Sequence, residues 1–228
     1  MKILAIETSC EHASVALSLD DGLRERVLEG HANHSEHLLA SVTALLREAD
    51  LPLGALDGIA FGAGPGAFTG LRLACGVAQG LAMGAGLGVA AISSLAALAV
   101  QEEQADKVFV ITDARMGEVY SAAYRVNRGS AVEMSAPACS PPGRVRLPDT
   151  GDWVLAGSGL AVYEDDLRGV LPAARVTGWH PGRHARAADV ARLARAAVFV
   201  LPEQAGPLYV RNKVALTTDE RRARGGRA

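Results

Sequence analysis

Between Leu73 and Gln101 the chain runs for 29 residues without a formal charge, and any fold must dispose of that stretch. Roughly 20 apolar residues suffice to cross a bilayer, so a membrane span is the first alternative to weigh. Gly76, Gly80, Gly84, Gly86 and Gly88 interrupt the run, as do Gln79, Ser93 and Ser94. Gly84-Ala85-Gly86-Leu87-Gly88 reads as a break between elements. The stretch therefore predicts a buried helix over 71–83, a strand over 89–92 and another helix starting near Ser94. On a helical wheel the only polar side chains of the first of these helices, Arg72 and Gln79, lie together. A helix apolar on nearly every side is buried on nearly every side. Gly76, Gly80 and Gly84, four apart, make a stripe without side chains along which a second backbone can approach closely. That backbone can belong to a partner chain or to a sandwich within one domain, and the pattern leaves both open.

The rest of the chain supplies strands and helices for an α/β fold. Apolar runs at 3–6, 13–19 and 23–28, the last two joined by Asp20-Asp21-Gly22, predict an opening antiparallel meander. Asn33 followed by Glu36 resembles a capping box, and Leu38, Leu39, Val42, Leu45, Leu46 and Ala49 recur at helical spacing, so a helix is expected over 35–49. A fourth strand at 59–61 leads into the glycine-rich loop 62–70. Glu102-Glu103-Gln104-Ala105-Asp106 marks a composition break, and charge supports a division there: residues 1–100 carry 5 Lys/Arg and 10 Asp/Glu, residues 101–228 carry 18 and 15. The expected organisation is an N-terminal lobe over 1–102, with 206–218 packing back on it, a C-terminal lobe over 103–205, and a tail over 219–228. In the second lobe strands are expected at 108–112, 117–125, 154–156 and 175–177, a Pro/Arg/Gly loop at 137–148 and a long alanine-rich helix over 185–200.

Composition excludes several classes of function. Hydrophobic residues at 49% and charged residues at 21% describe a folding chain rather than a disordered one. A net charge of −2 and ten aromatic residues, four Phe, two Trp and four Tyr, offer little for autonomous nucleic-acid binding. Cys10, Cys75 and Cys139 form no Cys-x-x-Cys pair, which suits a reducing compartment. Only four apolar residues separate Lys2 from Glu7, so no export signal and a cytoplasmic location are expected.

Two clusters invite chemistry. Gly62-Ala63-Gly64-Pro65-Gly66-Ala67-Phe68-Thr69-Gly70 lies between a strand and a helix, where free amides and the helix dipole favour an anion. It lacks the Gly-Lys-Ser/Thr of a Walker loop and an acidic ribose partner, so a phosphate contact at Gly64, Gly66 and Thr69 stands beside the alternative that the glycines permit a tight turn. Asp113-Ala114-Arg115-Met116-Gly117-Glu118 joins two strands as either a salt-bridged hairpin or the lip of a site. His31, His34 and His37 are spaced wrongly for a zincin pair, and His180 and His184, interrupted by Pro181-Gly182, read as surface residues.

Ala5-Ile6-Glu7-Thr8-Ser9, the glycine loop, Asp113-Ala114-Arg115-Met116-Gly117-Glu118-Val119-Tyr120 and Leu208-Tyr209-Val210-Arg211-Asn212 together resemble the TsaB (YeaZ) family of bacterial tRNA threonylcarbamoyladenosine biosynthesis proteins. Ala67 stands where serine is expected in much of that family. The resemblance implies a two-lobed actin/Hsp70/sugar-kinase-like (ASKHA) fold with RNase H-like lobes. It also implies a role in threonylcarbamoylation of the adenosine beside the anticodon in tRNAs that read codons beginning with A. In that role the chain is a non-catalytic partner of TsaD, joined by TsaE. It forms a homodimer when alone, holds no cofactor itself, meets tRNA and ATP/Mg only through the assembled complex, and has no membrane association.

TsaD carries two metal-ligating histidines four apart after the corresponding strand. Here Ser94 and Leu98 occupy those positions, and leucine cannot bind a metal. The glycine-striped helix and the one before it are the expected docking face, with Leu39, Thr43, Leu46, Leu73, Gly76, Val77, Gly80 and Gly84. Rival readings are an ATP-dependent phosphotransferase with Glu7 or Glu11 near magnesium and, less favoured, an M22-like peptidase. Arg221, Arg222, Arg224 and Arg227 on the tail are a weaker candidate for contact with tRNA phosphates.

Overall fold

A computed structural model describes residues 1–20, 22–28, 34–148 and 151–211. The tail arginines, residues 212–218, the Asn33 cap and His31 lie outside the described residues. The first half forms β1 (Ile3–Glu7), β2 (Ser14–Leu19), β3 (Gly22–Val27), α1 (His34–Glu48), β4 (Gly58–Gly64), α2 (Phe68–Ala85), β5 (Val89–Ser93) and α3 (Ser94–Ala99). The second forms β6 (Lys107–Asp113), β7 (Val119–Asn127), β8 (Ser130–Ser140), β9 (Trp153–Ala156), α4 (Gly159–Val162), α5 (Glu164–Val170), β10 (Val176–His180) and α6 (Ala187–Ala194).

Two five-stranded sheets result, in the orders β3-β2-β1-β4-β5 and β8-β7-β6-β9-β10. In each, the first three strands are an antiparallel meander and the last two add in parallel to the first. One topology is thus used twice, which is the two-lobed RNase H-like arrangement of the actin/Hsp70/sugar-kinase fold.

Strand alternation divides the first core in two. Leu4, Ile6, Val15, Leu17, Ile59 and Phe61 meet Leu38, Val42 and Leu45 of α1 and Ala74, Ala78 and Ala82 of α2 on one face. Ile3, Ala5, Ala16, Ala60 and Ala90 meet Ala187, Val190, Ala191 and Ala194 of α6 on the other. Small residues on both sides let α6 lie close on the sheet, so burial covers β1 on both faces. Here the structure differs from the expected lobe boundary: α6, assigned by sequence to the 103–205 lobe, packs on the first sheet. In the second lobe α3 covers one sheet face through Leu95 and Leu98, while α4 and α5 cover the other around Trp153.

Two further elements differ from expectation. The alanine-rich helix ends at Ala194 instead of continuing to 200, because Val200 pairs with Val89 across a β-bridge. Phe199 fills space above Gly58 and Gly88, where an ideal Cβ would sit 2.3 and 2.9 Å from its side chain. The region expected to be a loop from 137 begins inside β8, whose edge position and register shifts accommodate Pro137.

Candidate functional site

Two regions carry the sequence-predicted residues: the cleft between the lobes and the outer face of α1 and α2. At the base of the cleft Glu7 is fully buried. Its Oε1 accepts the Ser9 N–H at 2.6 Å and its Oε2 the Ser94 hydroxyl at 2.8 Å, while Ser94 Oγ in turn accepts the Gly64 N–H at 3.2 Å. Burial pushes the Glu7 carboxyl above its ordinary value, against the opposing effect of the hydrogen bonds from Ser9 and Ser94. Gly62 makes the arrangement possible, since an ideal Cβ there would lie 1.9 Å from Glu7 Oε2.

The glycine loop is organised by the same packing. A Cβ at Gly66 would meet Ser9 O at 2.4 Å and one at Gly70 would meet Thr8 O at 1.8 Å, while at Gly64 the backbone is left-handed and presses on Leu71. The Gly64 N–H goes to Ser94, the Ala67 N–H goes to Ser9 O at 2.7 Å, and Thr69 is exposed. The Gly64 and Ala67 amides are thus spent internally, and close approach accounts for the glycines at 64 and 66.

Above this base a cavity of about 250 Å³ is lined by Cys10, Glu11 and His12 from the first lobe and Asp113, Arg115 and His184 from the other side. Arg115 reaches Glu11 across the cleft at 3.6 Å and Asp113 at 3.3 Å. His12 and His184 stack with ring centroids 4.2 Å apart. Burial, then the neighbouring His12, holds the His184 imidazole below its ordinary value. His184 is therefore a cleft residue, not the surface residue expected from the Pro181-Gly182 break. Burial, reinforced by Glu7, pushes the Cys10 thiol up to about 12. Asp113 to Glu118 turns out to be both a hairpin turn and a cleft lip: Tyr163 donates to Asp113 at 3.1 Å and the Arg115 N–H to the same oxygen at 2.8 Å. Among the described residues no three His, Cys, Asp or Glu side chains are placed to hold a metal ion. Glu7 faces serines and Glu11 faces Arg115, so neither belongs to a carboxylate cluster.

The second region is apolar and open. Gly76, Gly80 and Gly84 are exposed, and among the described residues an ideal Cβ at each has nothing within 4 Å. The stripe thus faces outward, away from the chain's own core. Beside it lie half-buried Leu73 and Val77, Met83 at 68% exposure, and from α1 Leu39 at 51%, Thr43 and half-buried Leu46. Thr43 donates its hydroxyl to Leu39 O at 2.9 Å, which spends its polar atom within the helix. No helix among the described residues is long and apolar enough to cross a membrane.

Sequence reasoning grouped Arg72 and Gln79 but missed their use. Gln79 Nε2 donates to Pro202 O and Ala205 O at 3.0 and 2.9 Å, and Arg72 Nε donates to the Tyr209 hydroxyl at 3.1 Å. They hold the returning segment 202–211 along the flank of α2. The signal available was two polar residues seven apart on an otherwise apolar helix.

The family model described as TsaD, tRNA N6-adenosine threonylcarbamoyltransferase, matches residues 29–164. The tRNA threonylcarbamoyladenosine biosynthesis protein TsaB of Haemophilus influenzae is 32% identical, the match covering 94% of this chain and 95% of that protein. The protein of the same description from Escherichia coli is 34% identical over 94% and 96% of the two. Among solved structures, YeaZ from Pseudomonas aeruginosa superposes with a TM-score of 0.79 at 36% identity, covering 91% of this chain and all (100%) of that one.

Proposed function

The chain belongs to the TsaB family of tRNA threonylcarbamoyladenosine biosynthesis proteins, and on that premise we propose that it serves this biosynthesis as the non-catalytic partner of TsaD. The glycine stripe with Leu39, Thr43, Leu46, Leu73 and Val77 is the docking face, used by TsaD in the complex and by a second copy of the chain when TsaD is absent. TsaE joins the complex, and tRNA and ATP/Mg are engaged through the partners, in the cytoplasm. The isolated chain holds no cofactor.

The observation that carries the reading is an apolar helix face with a bare backbone stripe exposed to water. Burying such a face removes apolar area at roughly 25 cal/mol per Å², and glycine lets a partner backbone close to near contact. The non-catalytic part rests on Ser94 and Leu98: Ser94 is buried and donates to Glu7, and Leu98 is buried.

The test is reconstitution. The chain alone should transfer no threonylcarbamoyl group to tRNA and should bind Mg-ATP no better than a control protein by isothermal titration, while addition to TsaD and TsaE should restore transfer. Transfer or stoichiometric nucleotide binding by the isolated chain would overturn the assignment in favour of an enzyme using the interlobe cleft.

A further inference from the structure

From Pro202 the chain runs along α2 against the direction of the helix. Gln79 holds Pro202 and Ala205, the Cys75 thiol lies under Ala205 O at 3.8 Å, and Tyr209 packs on Phe68 with ring centroids 5.5 Å apart. Among the described residues one backbone hydrogen bond, Leu208 N–H to Ala63 O at 2.7 Å, ties 206–211 to the body. The far end crosses to the other lobe. There the Arg211 guanidinium binds the Glu118 carboxylate, donates to Arg115 O at 3.1 Å and touches Met116 Sδ at 3.6 Å.

Its target is a strained turn. Arg115 and Met116 have φ of 60° and 59°, left-handed values that residues with side chains rarely adopt, followed by Gly117 at 77°. Residues held this way persist only where their surroundings over-determine them. The same turn aims Arg115 across the cleft at Glu11. A cavity of about 220 Å³ lies beneath the segment, lined by Leu71, Met116, Tyr120 and Leu208 among others.

We propose that residues 202–211 are a strap latched by Arg211 onto Glu118, and that the latch couples the flank of α2 to the Arg115 turn at the interlobe cleft. Latched, the strap covers Cys75 and holds the turn so that Arg115 spans the lobes. Unlatched, the strap lifts from α2, drawing Ala205 and Val210 from the edges of the two cores, and the turn relaxes while both sheets stay packed. Within 206–211 a single backbone bond ties the segment to the body, and the rest of its attachment is through side chains, the sparse anchoring that local opening requires. The inference is independent of which chain docks on the glycine stripe.

The experiment uses the full chain under native conditions. Alkylation of Cys75 is followed by peptide mass spectrometry, and hydrogen exchange is followed at the Ala114 and Glu118 amides, which close the turn. Arg211→Ala and Glu118→Ala should each speed Cys75 alkylation at least about tenfold, equivalent to about 1.4 kcal/mol and close to the lower edge of the range for a charge-assisted hydrogen bond. Exchange at the turn should rise with it. The double variant should match the single ones, because both remove one latch, and the melting transition should remain cooperative. Unchanged alkylation in both single variants overturns the proposal. So does a double effect equal to the product of the two, or acceleration that appears only together with global unfolding.

Discussion

Gly80 separates an outward-facing helix from an internal one by a simple pair of substitutions. An ideal Cβ at this position has nothing within 4 Å, and the position lies mid-helix in α2. Glycine there costs about 0.8–1 kcal/mol of helix propensity relative to alanine. With no steric penalty to offset it, Gly80→Ala should stabilise the isolated chain by about that amount. For a protein of this size that is a rise in melting temperature of roughly 2–4 °C. Arginine is nearly as good a helix former as alanine, so Gly80→Arg should also fold and melt no lower than the parent. On the docking face the outcome reverses: a long cation in the middle of the stripe holds the partner backbone away or is buried without a counter-charge. A penalty of about 4 kcal/mol, modest for an unpaired buried charge, weakens association about a thousandfold. Differential scanning calorimetry of the isolated chains and co-purification with TsaD read the two halves separately. If Gly80→Ala lowers the melting temperature, the stripe packs internally and the exposure argument is wrong. If Gly80→Arg is folded and still co-purifies with TsaD, the interface lies elsewhere.

Gly62→Ala should be severely destabilising, because a Cβ 1.9 Å from Glu7 Oε2 expels the carboxyl from its bonds to Ser9 and Ser94. The Ser9 N–H and the Ser94 hydroxyl would be left unpaired, each buried unsatisfied group costing about 1–3 kcal/mol, so denaturant unfolding should show a loss of about 2 kcal/mol or more, and a loss under about 1 would contradict the geometry. Glu7 has a folded-state affinity for its proton above the ordinary carboxylate range, so its contribution is fully present below the unfolded value and is lost as pH rises through the folded one. Glu7→Gln removes the titrating proton while its amide oxygen still accepts the Ser9 N–H, so the variant should gain stability relative to the parent as pH rises from acid to neutral. A difference between the two unfolding free energies that does not change with pH would count against a raised Glu7. Cys10, pushed up to about 12, should resist alkylation at pH 8 in the native chain; rapid labelling there would show that the cleft opens.

Local pattern was sufficient for a large part of this protein. The apolar run Ile3 to Ile6 marks a strand, helical spacing from Leu38 to Ala49 marks α1, and Gly84 to Gly88 marks the end of α2, all because neighbours in sequence share one backbone period. The uncharged glycine-striped helix and the four motifs that resemble the TsaB family were equally legible, since each is a short run of residue types. Contacts between distant residues were not. Nothing near Gly62 announces Glu7, 55 positions earlier and in contact with it. The 185–200 helix stops early because Val200 finds Val89, and α6 joins the first lobe because its alanines fit Ala5, Ala16, Ala60 and Ala90. His184 enters the cleft by meeting His12. Whether the glycine stripe faced a core or the solvent was open in the sequence, since a missing side chain looks the same from either side. Periodicity determines which face of an element is apolar; only the packed arrangement decides what, if anything, covers that face.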